Sequence, residues 1–215
     1  MAFFRNPQKA KPTIKKYKKM ENQALQKTSN FLPQNYQLPD KTKQFMKIEP
    51  GDNVIRVLSA PLMGWVYFDK ENKPHRRPYD AESKTLGDFT DEELKEGNVK
   101  RDENGNIEGS RHFWIMLVWD RKTNTPKILE ITQVTIIRSL LNYLNSEDWG
   151  DLREFDVNII RKGTGRFDTE FEVMPKPHKP LSEDVASVVK TLEDERLLDL
   201  NAIWKGDYPF QKYLF

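Results

Sequence analysis

Apolar and polar positions divide the 215-residue chain into three stretches. Residues 1–44 show neither a helical nor an alternating period, and Pro7, Pro12, Pro33 and Pro39 interrupt the backbone. Such a stretch cannot bury enough surface to order itself, which predicts a flexible arm and linker. Apolar density begins at Phe45. Val54, Ile55, Val57 and Leu58, after the turn at Pro50-Gly51-Asp52, predict a strand over about 53–59, and Trp65–Phe68 predicts a second extended run. Residues 69–110 are mostly Asp, Glu, Lys, Asn and Gly and predict a long inserted loop. The most apolar stretch follows, Arg111 to Arg121, with a hairpin turn at Lys122–Thr125 and a partner strand over Pro126–Ile131. Val134, Ile137, Leu140, Leu141 and Leu144 then lie on one helical face, with Thr132 placed to cap. Strands over Phe155–Arg161 and Thr169–Met174 flank the turn Lys162-Gly163-Thr164-Gly165, and the proline-rich Pro175–Pro180 predicts the end of the domain. Beyond it, Val185, Val188, Val189 and Leu192 share a face of an acidic amphipathic helix. Trp204, Tyr208, Phe210, Tyr213 and Phe215 then make an end too aromatic to stand in water.

This order matches a five-stranded OB-fold Greek-key barrel with one helix between strands three and four, a long loop inserted early, and a C-terminal helix. The expected units are the arm and linker at 1–44, the barrel at 45–180, and an acidic helix with aromatic tail at 181–215. Leu, Ile, Val and Phe make up about a quarter of the residues, enough for a core. No apolar run approaches the roughly 18 residues of a membrane helix, and the N-terminal stretch has no secretory pattern, so a cytoplasmic protein is expected. Net charge is only +2, but its distribution is uneven. Residues 1–30 hold eight basic side chains against the single acid Glu21, whereas 182–200 hold six acids against Lys190 and Arg196. The chain lacks cysteine, which removes disulfides, thiolate metal sites and cysteine nucleophiles.

No catalytic constellation is visible. His75, His112 and His178 have no ligand spacing, and there is no P-loop, nucleophile elbow or H-E-x-x-H. Gly163-Thr164-Gly165 lies between strands, with no helix N-terminus to receive a phosphate, and reads as a hairpin turn. Asp91-Glu92-Glu93 reads as a solvated face; neither a metal nor a cofactor is expected. What recurs is aromatic rings beside cations: Trp65 and Tyr67 before Arg76, Arg77 and Tyr79; Arg111 and His112 before Trp114; Trp119 before Arg121. Rings offer every base a stacking partner while Lys and Arg follow the phosphates, the chemistry of single-stranded nucleic acid. Phe113, Ile115, Leu117, Trp149 and Phe155 are assigned to the core, and Trp114, on the other strand face, to a surface platform. Arg56, a charge on an apolar strand, is expected to face the binding groove. Arg161, Lys162 and Arg166 complete the candidate DNA-binding set.

Met46–Leu58, Gly64-Trp65, His112-Phe113-Trp114, Val118-Trp119, Leu129–Gln133, Asp148–Asp151 and Phe155-Asp156 together resemble the single-stranded-DNA-binding proteins of tailed phages, distantly similar to the T-even helix-destabilising protein. The resemblance covers about 45–180. It implies an OB core that coats single-stranded DNA in phage replication, recombination or repair without catalysis, inside the host cytoplasm, and places Arg56, Trp65, His112, Trp114 and Trp119 along the binding strands. The T-even protein holds zinc in its early insertion; without cysteine, that site is not carried over. The expected partners are single-stranded DNA, further copies of the chain on it, and a polymerase, helicase or recombinase engaged through the tail, where Asp207-Tyr208-Pro209-Phe210 resembles a partner-binding tip. Two other readings stay open: an OB module that binds a protein of a replication or transcription complex, and an RNA-binding OB domain.

Overall fold

The computed structural model describes residues 41–79, 88–165 and 168–211. Most of the expected arm and linker (1–40), Arg166, and the terminal Tyr213 and Phe215 lie outside them. The architecture is mainly β. Strands β1 (Gly51–Val57), β2 (Leu62–Phe68), β3 (Pro74–Pro78), β4 (Arg111–Asp120), β5 (Thr125–Ile131), β6 (Phe155–Lys162) and β7 (Glu170–His178) form one antiparallel sheet. Its order is β3-β2-β4-β1-β6-β7, with β5 paired to β4. Helices α1 (Asp91–Glu96), α2 (Val134–Leu144) and α3 (Glu183–Asp194) are short, and 3-10 turns occupy Lys41–Gln44 and Leu200–Lys205. The sheet is open. Among the described residues no ladder joins β5 to β7, so the expected closed barrel of five strands is replaced by an open sheet of seven.

β4 organises the sheet. One edge carries β5 along Trp114–Asp120, and the other is shared end to end by β2, against Arg111–Ile115, and β1, against Val118–Asp120. Both faces are covered as well. Phe113, Ile115 and Leu117 pack with Val66 and Ile128 under Leu192, Leu197, Ile203 and Phe210 of the C-terminal segment. Trp114, Met116 and Val118 pack on the opposite face with Ile136, Ile137 and Leu140 of α2 and with β6 and β7. A strand covered on both faces reads as a continuous apolar run, the pattern at 113–119.

Four local expectations change. The insertion contains β3 and α1, the latter held by a capping box between Thr90 and Glu93. Thus Asp91-Glu92-Glu93 is the first turn of a helix, where acids complement the helix dipole. β7 runs through Pro175 and Pro177 to His178 instead of ending at Met174; it pairs only with β6, and an edge strand tolerates the missing N–H groups. Gln133, not Thr132, is the N-cap of α2, with no side-chain capping bond. Phe210 is 4% exposed in the core, so Asp207–Phe210 is not a free tip.

Arg56 corrects the largest single expectation. Its side chain is 1% exposed and is held by internal partners rather than presented for binding. Its Nε donates to Asp156 Oδ1 at 2.7 Å and its Nη2 to the Lys179 carbonyl at 2.9 Å. Arg121 donates to both oxygens of the same carboxylate. Burial pushes the Asp156 carboxyl up, but the hydrogen bonds and charges of Arg121 and Arg56 outweigh it and hold the carboxyl below its usual value. Its contribution is therefore complete above the unfolded carboxyl value near about 4 and is lost as pH falls through the lower folded value. Asp156→Ala leaves one buried guanidinium without its counter-charge; urea unfolding at pH 7 should show a loss of about 3–5 kcal/mol. The loss should shrink as the pH is lowered below about 4.

Candidate nucleic-acid interface

Along β2, Met63, Trp65 and Tyr67 alternate onto the face that carries α2 further along the sheet. At one end of this row, Trp114 and Met116 are covered by the α2 cluster. At the other, Tyr67 is roofed by the insertion: it packs with Leu94 and Val99, stacks on His75 at 4.8 Å and meets Phe89 edge-on. Between the two covers the face stays open. Met63 and Tyr79 are 39% and 38% exposed, and Trp65 and His112 are half-buried beside them. Trp65 lies opposite His112 in the ladder, with ring centroids 5.1 Å apart, and Tyr79 stands 6.0 Å from the same imidazole.

Local chemistry fixes this open patch. β3 is held against β2 from Gly64↔Pro78 to Phe68↔Pro74, and the Tyr79 N–H extends the pairing to the Met63 carbonyl. The connecting turn is tied by Asp69, which accepts from the Glu71 and Lys73 N–H groups and bonds His75 Nε2 at 2.8 Å. The His75 hydrogen bond leads the causes that hold the Asp69 carboxyl below its usual value. Gly64 is required by close approach: a Cβ there would collide with the Arg77 carbonyl and come within 3.1 Å of the Phe113 and Trp204 rings. Burial lowers the His112 pKa, more than its bond to the Gly64 backbone and the nearby Asp88 raise it, and its Nδ1 is enclosed without a hydrogen-bond partner. The ring is neutral at pH 7 and works as an aromatic surface.

Cations stand at the margins. Arg77 lies 4.3 Å over the Phe89 ring and pairs with Glu93 of α1, and Arg111, half-exposed, is 3.6 Å from Glu108. Trp65, Tyr79, His112, Arg77 and Arg111 are thus brought together. The remaining candidates are not. Tyr67 is 7% exposed under the insertion. Trp114, assigned to a surface platform, is 3% exposed, because β4 is covered on both faces. Arg76 points to the opposite face, paired with Glu130 at 2.7 Å, its Nε buried and unpartnered. Trp119 is buried and donates to Asn124 at 3.0 Å, beside the Arg56–Asp156–Arg121 network. Arg161 donates to the Ile48 carbonyl and Lys162 pairs with Glu172 at the far end of β6. Met63 and Gly64 were missed; the alternation that places Trp65 on the open face places Met63 there as well.

Among the described residues no helix is long and apolar enough to cross a membrane, and no group of three or more His, Asp and Glu side chains is gathered for a metal. Comparison with protein-family models, with curated proteins and with solved structures finds no match.

Two outcomes follow from this geometry. The His112 ring protons should titrate by NMR with a midpoint below the ordinary value near about 6.5. Gly64→Ala has to part β2 from β3 and should cost about 1–3 kcal/mol in denaturant unfolding, with loss of the Tyr79-to-His112 proximity in NOE spectra, because Tyr79 follows β3.

Proposed function

We propose that this protein binds single-stranded DNA without strong sequence dependence, as a coating rather than a catalytic protein. One observation carries the reading: three rings, Trp65, His112 and Tyr79, stand half-open on one sheet face, bordered by Arg77 and Arg111. A neutral imidazole between two aromatic rings suits base faces better than a metal or an acid. Strand connectivity supports it too. β1 pairs with both β4 and β6, and the hairpins β4–β5 and β6–β7 enclose α2, the order of an OB domain without its closing pair. On this reading β2, β3 and α1 are an insertion between the first two OB strands, and the cleft lies where insertion and core meet. The likeness to tailed-phage proteins adds the setting of phage replication, recombination or repair, with polymerase, helicase or recombinase as protein partners.

Titration of tryptophan fluorescence with oligo-dT tests it. Quenching is expected that weakens with salt and is nearly absent with duplex. Trp65→Ala and Tyr79→Ala should each weaken binding about 5- to 150-fold, the worth of one stacked base. Deleting residues 1–30 should flatten the salt dependence, because the arm's cations release counterions from phosphates. No response to dT at low salt overturns the reading in favour of a protein-binding module; tenfold preference for RNA of the same sequence overturns it in favour of an RNA-binding one.

A further inference from the structure

Met63 belongs to the open patch without being a ring, and the strand register sets it among the rings. Trp65 follows two residues on along the same face of β2. Across from Met63 on one side is Tyr79, whose N–H bonds the Met63 carbonyl; on the other is Trp114, its partner in the ladder with β4. Trp114 is closed off by the α2 cluster, whereas Met63 keeps 39% of its surface in water. A thioether is soft and polarisable and packs well against aromatic groups, so a base lying on Trp65 or Tyr79 meets it favourably. It is also open to two-electron oxidation, in a chain that has no cysteine to compete for the oxidant. Among the other methionines of the described residues, Met116 is fully buried and Met46 is packed against the core. Met174 is 44% exposed, but it lies on the edge strand β7, at the opposite end of the sheet from β2 and β3.

We infer that Met63 touches a base in the cleft and is a modification site, whose oxidation by a peroxide weakens the hold on the strand. The inference rests on the functional reading above and adds an oxidation-sensitive contact to it. With hydrogen peroxide, the sulfur lone pair attacks one peroxide oxygen, and an S–O bond forms as the O–O bond breaks. The departing hydroxide takes the proton from the transferred oxygen and leaves as water. Sulfur is oxidised by two electrons, the peroxide is reduced by two, and the thioether becomes a sulfoxide. A polar oxygen then stands where an apolar group stood. A base laid over it strips water from that oxygen without replacing the hydrogen bond, a cost the thioether does not carry.

The test treats the full chain with dilute hydrogen peroxide and counts sulfoxide at each methionine by peptide mass spectrometry. Affinity for labelled oligo-dT is read by fluorescence anisotropy before and after. Met63 and Met174 should both oxidise, and affinity should fall about tenfold, the loss of one base contact. Methionine sulfoxide reductases of both epimer specificities should restore it. Met174→Leu should lose affinity on treatment as wild type does, and Met63→Leu should show no loss on treatment. Met63→Gln, which puts a polar group at the same exposed position, should weaken binding about tenfold without peroxide and unfold at the wild-type temperature. Three results each overturn the inference and leave the stacking patch standing: unchanged affinity with Met63 converted, an equal loss in Met63→Leu, or a Met63 that resists peroxide which converts Met174. If untreated wild-type protein does not bind dT, both fall.

Discussion

Everything in the structure is arranged around the need to bury β4 on both faces and to satisfy both of its edges. Ten residues long and apolar at every position from Phe113 to Trp119, the strand exposes no face to water along that run. Its length exceeds what one partner on the second edge supplies, so β1 and β2 share that edge, and the chain between them bends across it with the Leu58 N–H bonded to the Leu117 carbonyl. One face is closed by α2 and the β6–β7 hairpin, the other by the C-terminal segment. That segment is thereby part of the fold: Leu192, Leu197, Ile203 and Phe210 are buried against Phe113, Ile115 and Leu117, with Val188 and Trp204 beside them. The acids of α3 are the solvent side of a helix whose other side is core.

The same constraint explains which side chains could be read from the sequence. Alternation in β6, the helical period of α2 and the turn at Lys122–Thr125 are local signals, and those elements stand close to where they were expected, but α2 buries Ile136, Ile137 and Leu140 while Val134, Leu141 and Leu144 of the expected face are exposed. Period two also separated Phe113, Ile115 and Leu117 from Trp114. It could not say that the second face would be covered as well, because the covering elements are distant in sequence. Arg56 shows the limit from the charged side: an arginine among Val and Ile looks like a binding cation until Asp156, a hundred residues away, supplies its partner. β3 was hidden by Pro74, Pro78 and two arginines, and its pairing to β2 is what makes it a strand. The capping box at Thr90 and Glu93, like the alternation at Met63, was a missed signal that lay in plain view.

Aromatic residues therefore sort by what covers them. Tyr67, Trp65 and Met63 occupy equivalent positions on one face of one strand, and Trp114 lies across the ladder from Met63. Tyr67 is closed by the insertion and Trp114 by the α2 cluster; Trp65 is half-open because neither cover reaches fully over it. The cleft is the seam between the α2 cluster and the cluster under the insertion. On the proposed reading, binding energy and folding energy are separable at Trp65 and Tyr79, and they are not separable at the buried Trp114 or Trp119.

Charge is partitioned as unevenly as the rings. The chain totals +2, but residues 1–30 carry eight basic side chains against one acid, which leaves the remaining 185 residues at −5. Around the cleft, Arg77 and Arg111 stand beside Glu93 and Glu108, so its local field is close to neutral. A polyanion gains little long-range attraction from such a surface, since exposed pairs are screened beyond about 10 Å at ordinary salt. Stacking depends on contact and is nearly indifferent to salt, whereas counterion release by lysines depends on it steeply. On the proposed single-strand-binding reading, a cleft of low net charge and a basic arm in a different part of the chain divide these two terms between segments: the arm would set how strongly a strand is attracted, and the cleft that it must be single-stranded to be held.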